Sequence, residues 1–578
     1  MANLIQSAKD SINDILAKAY EKAAQAGQLP SGAELSGTVE IPKDSSNGDF
    51  AANHAMAGAK ALHMAPRKIA QALIDNMELE RSWFASVEAA GPGFINFRLA
   101  DSWYADVLKT VTSEGDDYGR SNEGQGKKLM VEFVSANPTG PMHMGNARGG
   151  VLGDALASVL DRVGYKVWRE FYVNDAGNQI EKFANSIDVR YQQLLLGEDK
   201  VEFPEDGYHG DDIKELARLF RETHGDGYLN LPTAQRHAAM ARFGLDINIP
   251  KMKSDLLRYG IKYDQWFFES SLHESGYVAD TVDKLTERGY TYEKDGALWL
   301  RTSRILREHY AKIGKTQEEI ERLELKDDVL RRANGFYTYF AADIAYHRNK
   351  LEQRHFDRVI NVWGADHHGH VARLKGAMDA LGLDGSRLDV VLMQLVKLTR
   401  GGEVVRMSKR TGKAISLTDL LDEIPVDAAR YFFNSRPESP VEFDLELAIR
   451  QDSENPVYYV QYAHARICTL ISALAAEGHQ VPESADASLL STPEEKELIK
   501  QLAALPEELH LAARDYDPSR LNRYVTELAA RFHRFYTVCR IKGAEPEVQA
   551  ARLLLADCVR RVIALSLGIV GVHAPEKM

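Results

Sequence analysis

A glycine- and proline-rich stretch carries the first side chains that could do chemistry. Residues 135–150 read SANPTGPMHMGNARGG, and the apolar run KLMVEFV leads into them. Glycines let a backbone approach a ligand closely, and the first turn of a following helix offers unpaired N–H groups to an anion. His143 and Asn146 could donate hydrogen bonds to phosphate oxygens. A plain Gly/Pro turn is the alternative, since neither the Walker A nor the dinucleotide-binding glycine pattern is matched.

A second stretch is strongly cationic. Residues 397–413, KLTRGGEVVRMSKRTGK, hold several Lys and Arg residues and three glycines against one glutamate. Such a loop could neutralise charge that develops at the α-phosphate of a nucleotide, with Lys409 as the candidate side chain. The alternative is a solvated basic hairpin. Two loops suited to phosphate, each after a strand-like run, favour nucleotide binding.

Two carboxylates indicate a cationic substrate. Glu132 is the one acid in KLMVEFV, which is an apolar run apart from its leading lysine. A buried parallel strand rarely carries an unpaired acid. A guanidinium substrate could pair with it in bidentate fashion, or a Lys or Arg of the protein could neutralise it. Asp343, in YFAADIAY, is a second candidate, with Tyr339 one helical turn before it. For Asp343 the alternative is an acid on a helix surface or at a cap.

The run DHHGH at residues 366–370 raises the question of a metal. Its aspartate and three histidines could in principle bind zinc. The run stands where a strand ends and a helix begins, on the side of the sheet that would face a nucleotide. This position favours adenosine packing or simple loop structure, so we expect no protein-bound metal.

The elements that must position these side chains are two βαβ units. KLMVEFV, the Gly/Pro stretch, a helix ending near Gly164 and the strand VWREFYV form the first unit. Residues 358–382 and the apolar run 388–396 repeat the pattern. Ligands of a doubly wound sheet bind beyond the carboxyl ends of its strands, which is where both candidate phosphate loops lie. The sequence predicts an α/β fold with a doubly wound parallel sheet.

Three regions divide the chain. Residues 1–115 combine helices with short strands, and a Gly/Ser/Asn/Asp-rich linker leads into the sheet domain at 126–435. Within that domain roughly 180–330 is charged, largely helical and interrupted by turns, which indicates an insertion. Residues 436–578 are helical, and aromatic rings near their start alternate with basic residues as in readers of single-stranded RNA. Core packing at helical spacing is the alternative for each ring.

Composition limits the class of protein. The 578 residues are 44% hydrophobic and 27% charged, which is typical of a globular protein with several domains. No apolar stretch is long enough to cross a membrane, no signal peptide is recognisable, and three scattered cysteines favour a reducing cytoplasm. The net charge of −13 argues against gross electrostatic binding of nucleic acid but leaves a local basic surface open.

Residues 143–146, His-Met-Gly-Asn, resemble the H-I-G-H signature of class I aminoacyl-tRNA synthetases. Residues 406–409, Arg-Met-Ser-Lys, resemble their K-M-S-K-S loop. The departures are Asn146 for the second His and Arg406 for the first Lys. The whole chain is similar to arginyl-tRNA synthetases, through EFVSANPTGPMHMGNARGG, NDAGNQI, YFAADIAYH, INVWGADHHGH, PVYYVQYAHARI and the terminal APEKM.

This resemblance implies a Rossmann-like catalytic domain, an N-terminal α+β domain that contacts tRNA and a C-terminal all-α anticodon-binding bundle. It also implies ATP-dependent ligation of L-arginine to tRNA(Arg) through arginyl-adenylate, with ATP entering as its Mg²⁺ complex. We expect a cytoplasmic monomer that binds neither DNA nor membranes. Alternatives are a related H-I-G-H nucleotidyl transferase, a synthetase for another amino acid, and a tRNA-binding paralogue without catalysis.

The resemblance also implies roles for individual residues. The catalytic group comprises His143, Asn146 and Lys409. The ATP-binding group comprises Met144, Gly145, Gly364, Asp366, His370, Met407 and Ser408. The arginine-binding group comprises Glu132, Ser135, Asn137, Tyr339, Asp343 and His367. The tRNA-binding group comprises Phe50, Asn53, Tyr458, Tyr462, His464 and Arg466.

Overall fold

The computed structural model describes residues 3–405 and 415–578. Met407 and Ser408, assigned to ATP, and the catalytic candidate Lys409 lie outside the described residues. Among the described residues no helix is long and apolar enough to span a bilayer.

The N-terminal region folds a small sheet against four helices. Its four strands pair antiparallel in the order β1-β2-β4-β3. The elements are α1 (Leu4–Gln25), β1 (Val39–Glu40), β2 (Phe50–Ala52), α2 (His54–Leu62), α3 (Pro66–Asp75), β3 (Phe84–Ala90), β4 (Phe94–Leu99) and α4 (Asp101–Glu114).

The middle of the chain builds the predicted parallel sheet. Its first half contains β5 (Lys128–Glu132), α5 (Met144–Arg162), β6 (Lys166–Val173), α6 (Asn178–Leu196), α7 (Asp211–His224), α8 (Thr233–Arg258), β7 (Gln265–Phe268), α9 (Ser270–Glu274), α10 (Tyr277–Glu287), β8 (Thr291–Lys294), β9 (Ala297–Leu300), α11 (Thr302–Lys312), α12 (Gln317–Glu321) and β10 (Asp328–Arg331). Its second half contains α13 (Tyr339–Arg348), β11 (Arg358–Gly364), α14 (His368–Ala380), β12 (Leu388–Met393), β13 (Val396–Arg400), β14 (Glu403–Val404), α15 (Leu417–Glu423), α16 (Val426–Phe433) and β15 (Val441–Asp444).

The C-terminal region is helical, as the sequence predicts. Its helices are α17 (Leu445–Ile449), α18 (Pro456–Ala476), α19 (Pro493–Ala503), α20 (Leu505–Asp515), α21 (Ser519–Val538) and α22 (Pro546–Ile569).

Five parallel strands form the central sheet in the order β12-β11-β5-β6-β7. Both predicted βαβ units are present, β5-α5-β6 and β11-α14-β12. A separate small sheet has the order β14-β13-β15, and its strands β13 and β14 lead into residues 406–414. The predicted fold class, α/β with a doubly wound parallel sheet, is confirmed.

Helix α5 packs closely on β5 because a glycine stands at the point of contact. A Cβ at Gly153 would lie 2.2 Å from the ring of Phe133, so only glycine permits this approach. Gly164 follows the helix with φ +93°, the left-handed conformation that ends helices and that glycine adopts without strain. The close packing fixes where the first turn of α5 stands relative to the end of β5.

The segment from 180 to 330 is more varied than the sequence indicated. Helices α6, α7 and α8 enclose a small core of their own, which includes Phe183, Tyr191 and Phe220. The four residues of β7, in contrast, join the central sheet at its edge beside β6. The antiparallel sheet β10-β9-β8 completes the segment.

One continuous core joins the N-terminal region, one face of the central sheet and the C-terminal helices. A second core fills the other face of the sheet, beneath α10, α13 and α14. Polar contacts reinforce the junction of the two ends, since Lys500 of α19 pairs with Asp49 and Tyr118 donates to the Leu502 carbonyl.

Candidate active site

A strained turn directly after β5 brings Ser135 back onto Glu132. Val134 and Ser135 have φ values of 71° and 44°, a conformation that costs energy for residues with a side chain, above all a β-branched one. The Ser135 hydroxyl donates to Glu132 Oε1 at 2.9 Å and accepts from the backbone N–H of Tyr172 at 3.1 Å. The turn therefore orients Glu132, while Asn137, two residues on, is exposed.

Glu132 has a partner within the protein. Lys350 Nζ donates to Glu132 Oε2 at 2.5 Å, and both side chains are buried. This is the second alternative that the sequence left open for Glu132, a Lys or Arg of the chain itself. Sequence reasoning missed Lys350 as a site residue.

Helix α13 presents the other half of the site along one face. Asp343, His347 and Lys350 follow at i, i+4 and i+7, the spacing of residues on one side of a helix. Tyr339 begins the helix and is 42% exposed. The helix continues into a wider π-helical turn, Asn349–Gln353, which carries Lys350. The same spacing, read from the sequence, could have identified Lys350.

Asp343 stands at the open end of this face. Its Oδ2 lies 3.0 Å from His370 Nε2, and its side chain is 36% exposed. His370 Nδ1 accepts from Arg373, whose other terminal nitrogen donates to Asp328. His370, which the resemblance assigned to ATP, is thus in contact with an acid assigned to arginine.

The charges of three acids affect the phenol of Tyr172. Burial is the main cause that raises the pKa of Tyr172 well above its usual value, and the carboxylates of Glu269, Asp343 and Glu132 add to it. The Tyr172 hydroxyl donates to Glu269 Oε2 at 2.8 Å. Tyr172 lies on β6 beside β5, and its backbone N–H donates to Ser135, the residue that holds Glu132.

The first turn of α5 borders the same edge of the sheet. The His143 backbone N–H donates to Asn146 Oδ1 at 2.9 Å, so Asn146 caps the helix with its oxygen and keeps its NH₂ group for another partner. The His143 side chain is exposed. Met144 donates to the carbonyl of Ile415, and His143 forms a bridge with Ser416. The chain that follows residues 406–414 therefore returns directly to this turn.

Arg148, one turn into α5, fixes the helix to the small sheet. It is fully buried, and burial lowers its pKa to about 10. Its guanidinium donates to the Ser435 hydroxyl and to the backbone carbonyls of Gln394, Arg436, Pro437 and Ser439. The start of α5 is thereby held against the two segments that precede β13 and β15.

The end of β11 supplies the remaining candidates. Gly364 ends the strand, and the side chains of Asp366 and His367 are 82% and 56% exposed and 3.6 Å apart. His367 and His370 lie on the ring of Trp363, with centroids 5.8 and 5.6 Å away. Within residues 3–405 and 415–578, no group of three or more metal-ligating side chains is arranged to hold an ion.

An open cavity of about 600 Å³ adjoins the site at Tyr339. Its walls come from the first residues of α6, from Glu269 and His273, and from the turn before α13, where Phe336 is 70% exposed. A large ligand can therefore reach the pocket from this side.

The candidate tRNA contacts fall into two groups. Phe50 packs edge-to-face on Phe84 in the core, and His464 is buried against the Pro575 carbonyl, so core packing holds for both. Tyr462 is 40% exposed and stacks with Tyr458 at an interplanar angle of 7°.

The exposed rings belong to a larger aromatic and basic surface. His533 of α21 stacks with Tyr462, and Arg466 lies over the ring of Tyr536 at 4.2 Å. Asn53, in the N-terminal region, bonds to the backbone and hydroxyl of Thr38.

Three family models match consecutive parts of the chain. The model of the class I (R) tRNA synthetase catalytic domain matches residues 108–442, that of the arginyl tRNA synthetase N-terminal domain matches 6–99, and that of the DALR anticodon binding domain matches 460–578. The parallel sheet, the turn before α5 and the first of these matches define a class I aminoacyl-tRNA synthetase.

Curated relatives narrow the class. An arginine–tRNA ligase of Caldanaerobacter subterraneus is 54% identical over 581 residues, and one of Acetivibrio thermocellus is 50% identical over 581 residues, with all of both chains covered in each case. The chain belongs to the arginyl-tRNA synthetase family. The solved Thermus thermophilus arginyl-tRNA synthetase has the same fold, with a TM-score of 0.73 at 20% identity over 99% of this chain and 100% of that one.

The enzyme therefore attaches arginine to its tRNA at the expense of ATP, for use in translation. The predicted family, activity and fold class are confirmed. The geometry of the site is the basis on which the roles of individual residues are proposed.

Proposed function

We propose that Glu132 and Asp343 bind the guanidinium group of arginine between them. The observation that carries the proposal is that Asp343 lies on the same face of α13 as Lys350, whose ammonium contacts Glu132 at the end of β5. After its bonds to Lys350 and Ser135, each oxygen of Glu132 keeps a second lone pair that can accept an N–H of the substrate. Asp343 is partly open to solvent and would meet most of the guanidinium charge.

The rest of the substrate would be placed by neighbouring polar groups. Ser135 already bonds to Glu132, Asn137 is exposed two residues on, and the phenol of Tyr339 stands one turn before Asp343. We propose that these three, with His367 at the end of β11, position the α-amino and α-carboxylate groups. Tyr339 would separate the arginine pocket from the adjoining cavity.

ATP would lie over the first turn of α5. The N–H groups of this turn and the side chains of His143 and Asn146 would bind its phosphates, with Met144 and Gly145 against the nucleotide. Gly364 and Asp366, at the end of β11, would border the adenosine.

The loop that includes Met407, Ser408 and Lys409 would complete the ATP site. Its proposed place is supported by the described chain on either side. Val405 bonds back to β13, and Ile415 bonds to Met144 at the start of α5.

His370 is better assigned to the amino acid than to ATP. Its contact with Asp343 and its bond from Arg373 hold the carboxylate in one direction. The sequence placed His370 at ATP because it follows the end of a strand. The sequence does not show that α13 packs beside α14, which brings Asp343 to the His370 ring.

In the proposed reaction the arginine carboxylate attacks the α-phosphorus of ATP, and pyrophosphate leaves as arginyl-adenylate forms. Charge grows on the phosphate oxygens in the transition state, so donors fixed before the reaction stabilise it most. His143, Asn146 and Lys409 would supply these donors. A hydroxyl of the terminal ribose of tRNA then attacks the arginyl carbonyl and releases AMP.

Magnesium would enter with ATP. It prefers oxygen ligands and keeps several waters, and it is usually held through substrate phosphates with one or two carboxylates. Asp366, exposed at the end of β11, is the carboxylate of the site best placed to contact such a complex. When bound, the ion would offset charge on the phosphates.

Three parts of the chain would share the binding of tRNA. We propose residues 1–115 as the domain that contacts the body of the tRNA, 126–435 as the catalytic domain and 436–578 as the anticodon-binding domain. The cavity beside Tyr339 would admit the 3′ end. Because one core joins all three parts within a single chain, we propose a monomer, working in the cytoplasm where translation occurs.

The exposed aromatic surface gives a direct test of tRNA binding. Tyr462→Ala is expected to raise the KM for tRNA by about tenfold, because stacking of a base on an aromatic ring contributes about 1–3 kcal/mol. Aminoacylation kinetics with varied tRNA would measure this. Tyr310→Ala, on α11, is the control and should leave the KM unchanged. An unchanged KM for the Tyr462 variant would remove that ring from the tRNA surface.

The role of Glu132 is tested by Glu132→Gln. The amide keeps the shape and loses the charge, so the KM for arginine in ATP–pyrophosphate exchange is expected to rise by about tenfold. Because the change also leaves Lys350 buried without its partner, Glu132→Gln/Lys350→Met should be measured beside it. Should both variants fold and keep the wild-type KM, Glu132 binds Lys350 alone.

A further inference from the structure

The ammonium group of Lys350 is buried among polar groups of the protein. Its side chain is fully buried, and Nζ lies 2.5 Å from Glu132 Oε2, 3.2 Å from Asn361 Oδ1 and 3.4 Å from His347 Nε2. The ring of Tyr346 lies 4.0 Å from Nζ as well. Glu132 and Asn361 accept from this ammonium, and the longer contact is to His347 Nε2, whose one lone pair also accepts from Asn361.

His347 is arranged to act as one of these acceptors. Its Nδ1 lies 2.8 Å from the Asp343 carbonyl and must donate to it, which leaves Nε2 to accept from Asn361 Nδ2 at 2.7 Å and from Lys350. Burial, and next the charge of Lys350, lower the pKa of His347 well below its usual value. In this tautomer the single lone pair of Nε2 accepts from Asn361 at the shorter distance and is shared with the Lys350 ammonium.

We propose that Lys350 is a positioning residue that keeps the buried Glu132 ionised and oriented for arginine, an inference that rests on the proposed role of Glu132. Lys350 does not touch the substrate, because its side chain is fully buried within the protein. It acts by holding Oε2 of Glu132, while Ser135 holds Oε1. The remaining lone pairs of the carboxylate then have a fixed direction toward the guanidinium.

The surroundings explain why Glu132 needs such a cation. Burial and neighbouring acids disfavour the charged form of a carboxyl group unless a cation is paired with it. Glu170 is neutralised separately by Arg354, which donates to both of its oxygens. The titratable and charged groups around Glu132 are Glu170, Tyr172, Tyr263, Glu269, Asp343, Tyr346, His347, Lys350, Arg354 and His370.

Lys350→Met is the decisive variant, because methionine preserves the apolar stem and removes the charge. At pH 7 the KM for arginine is expected to rise by about tenfold, because the cation that favours the ionised form of Glu132 and holds its Oε2 is lost. The KM of the variant should fall again as the pH is raised, because the ionised carboxylate is the form that attracts the guanidinium. The wild-type KM should depend less on pH, since the Lys350 ammonium contacts Glu132 Oε2.

The measurement is ATP–pyrophosphate exchange with tRNA present, at several pH values, with folding checked by thermal melting. Arg354→Met is the matched control, as it removes a neighbouring cation whose partner is Glu170. It should lower the melting temperature while the KM for arginine and its pH profile stay as in the wild type. A merely structural role of Lys350 would give the same behaviour in both variants.

The two proposals fail in different ways. If the folded double variant Glu132→Gln/Lys350→Met keeps the wild-type KM, Glu132 does not bind arginine and the proposed function fails. If that variant shows a raised KM with no new pH dependence, Glu132 binds arginine. A Lys350→Met variant with a wild-type KM and a flat profile would then overturn the role of Lys350 alone. A fall in KM with pH that is absent from the double variant supports both.

Discussion

His143→Ala is expected to slow the activation of arginine by about a hundred- to thousandfold. Removing one preorganised donor to a transition-state oxyanion has an effect of this size. The helix should start as before, because the contact that caps it uses the backbone N–H of residue 143 and the side chain of Asn146. The KM for arginine should change little, since the pocket at Glu132 and Asp343 is untouched. ATP–pyrophosphate exchange under saturating arginine and tRNA measures the rate.

His479→Ala is the control for this variant. His479 is also an exposed histidine, but it follows α18 in the C-terminal region and belongs to none of the candidate ATP or arginine groups. Its loss is expected to alter the rate by less than about twofold, as for a surface change away from special features. A His143 variant with near wild-type kcat would show that this imidazole does not stabilise the transition state.

Asp343→Asn is expected to raise the KM for arginine by about ten- to a hundredfold, the range for a hydrogen bond to a charged group. The effect should exceed that of Glu132→Gln, because Lys350 already neutralises Glu132 whereas Asp343 faces the open pocket with His370. The asparagine keeps the size of the side chain, so the fold should be retained. Steady-state exchange with varied arginine gives the KM, and kcat should fall much less.

Asp280→Asn provides the comparison, because Asp280 of α10 contacts the helix that carries Asp343. Asp280 accepts from Arg348 of α13 at 2.6 Å, on the side of the helix away from the pocket. Losing that carboxylate should reduce stability slightly and leave the KM for arginine unchanged. If both variants raised the KM equally, disturbance of α13 rather than loss of the guanidinium partner would be the cause.

The sequence predicted the sheet well because its signals are local. Apolar runs of strand length, a helical stripe of apolar residues and Gly164 at the helix end were sufficient for β5, α5 and β6. The strand β7 was missed because QWFF is only four residues long and lies within a charged, mostly helical segment. Its place at the edge of the sheet depends on pairing with β6, which no local pattern reveals.

For the site, the sequence identified the side chains better than their partners. Glu132 was noticed as an acid in an apolar strand, yet its partner Lys350 stands 218 residues further on. The contact of His370 with Asp343 likewise depends on how α14 packs beside α13. Rings at helical spacing were ambiguous for the same reason, and Phe50 and His464 proved to be buried while Tyr462 is exposed.

The central claim is that two carboxylates recognise the charge of arginine, and citrulline tests it most directly. Citrulline replaces the guanidinium with a neutral urea of nearly the same shape. The measurement is kcat/KM for arginine divided by kcat/KM for citrulline, in exchange assays with tRNA present.

In the wild type this ratio should be about 10⁴ or more, as for sites built around a specific polar group. It should fall at least about tenfold in Asp343→Asn and in Glu132→Gln/Lys350→Met, and stay unchanged in Asp280→Asn. A wild-type ratio in the first two variants would contradict the claim.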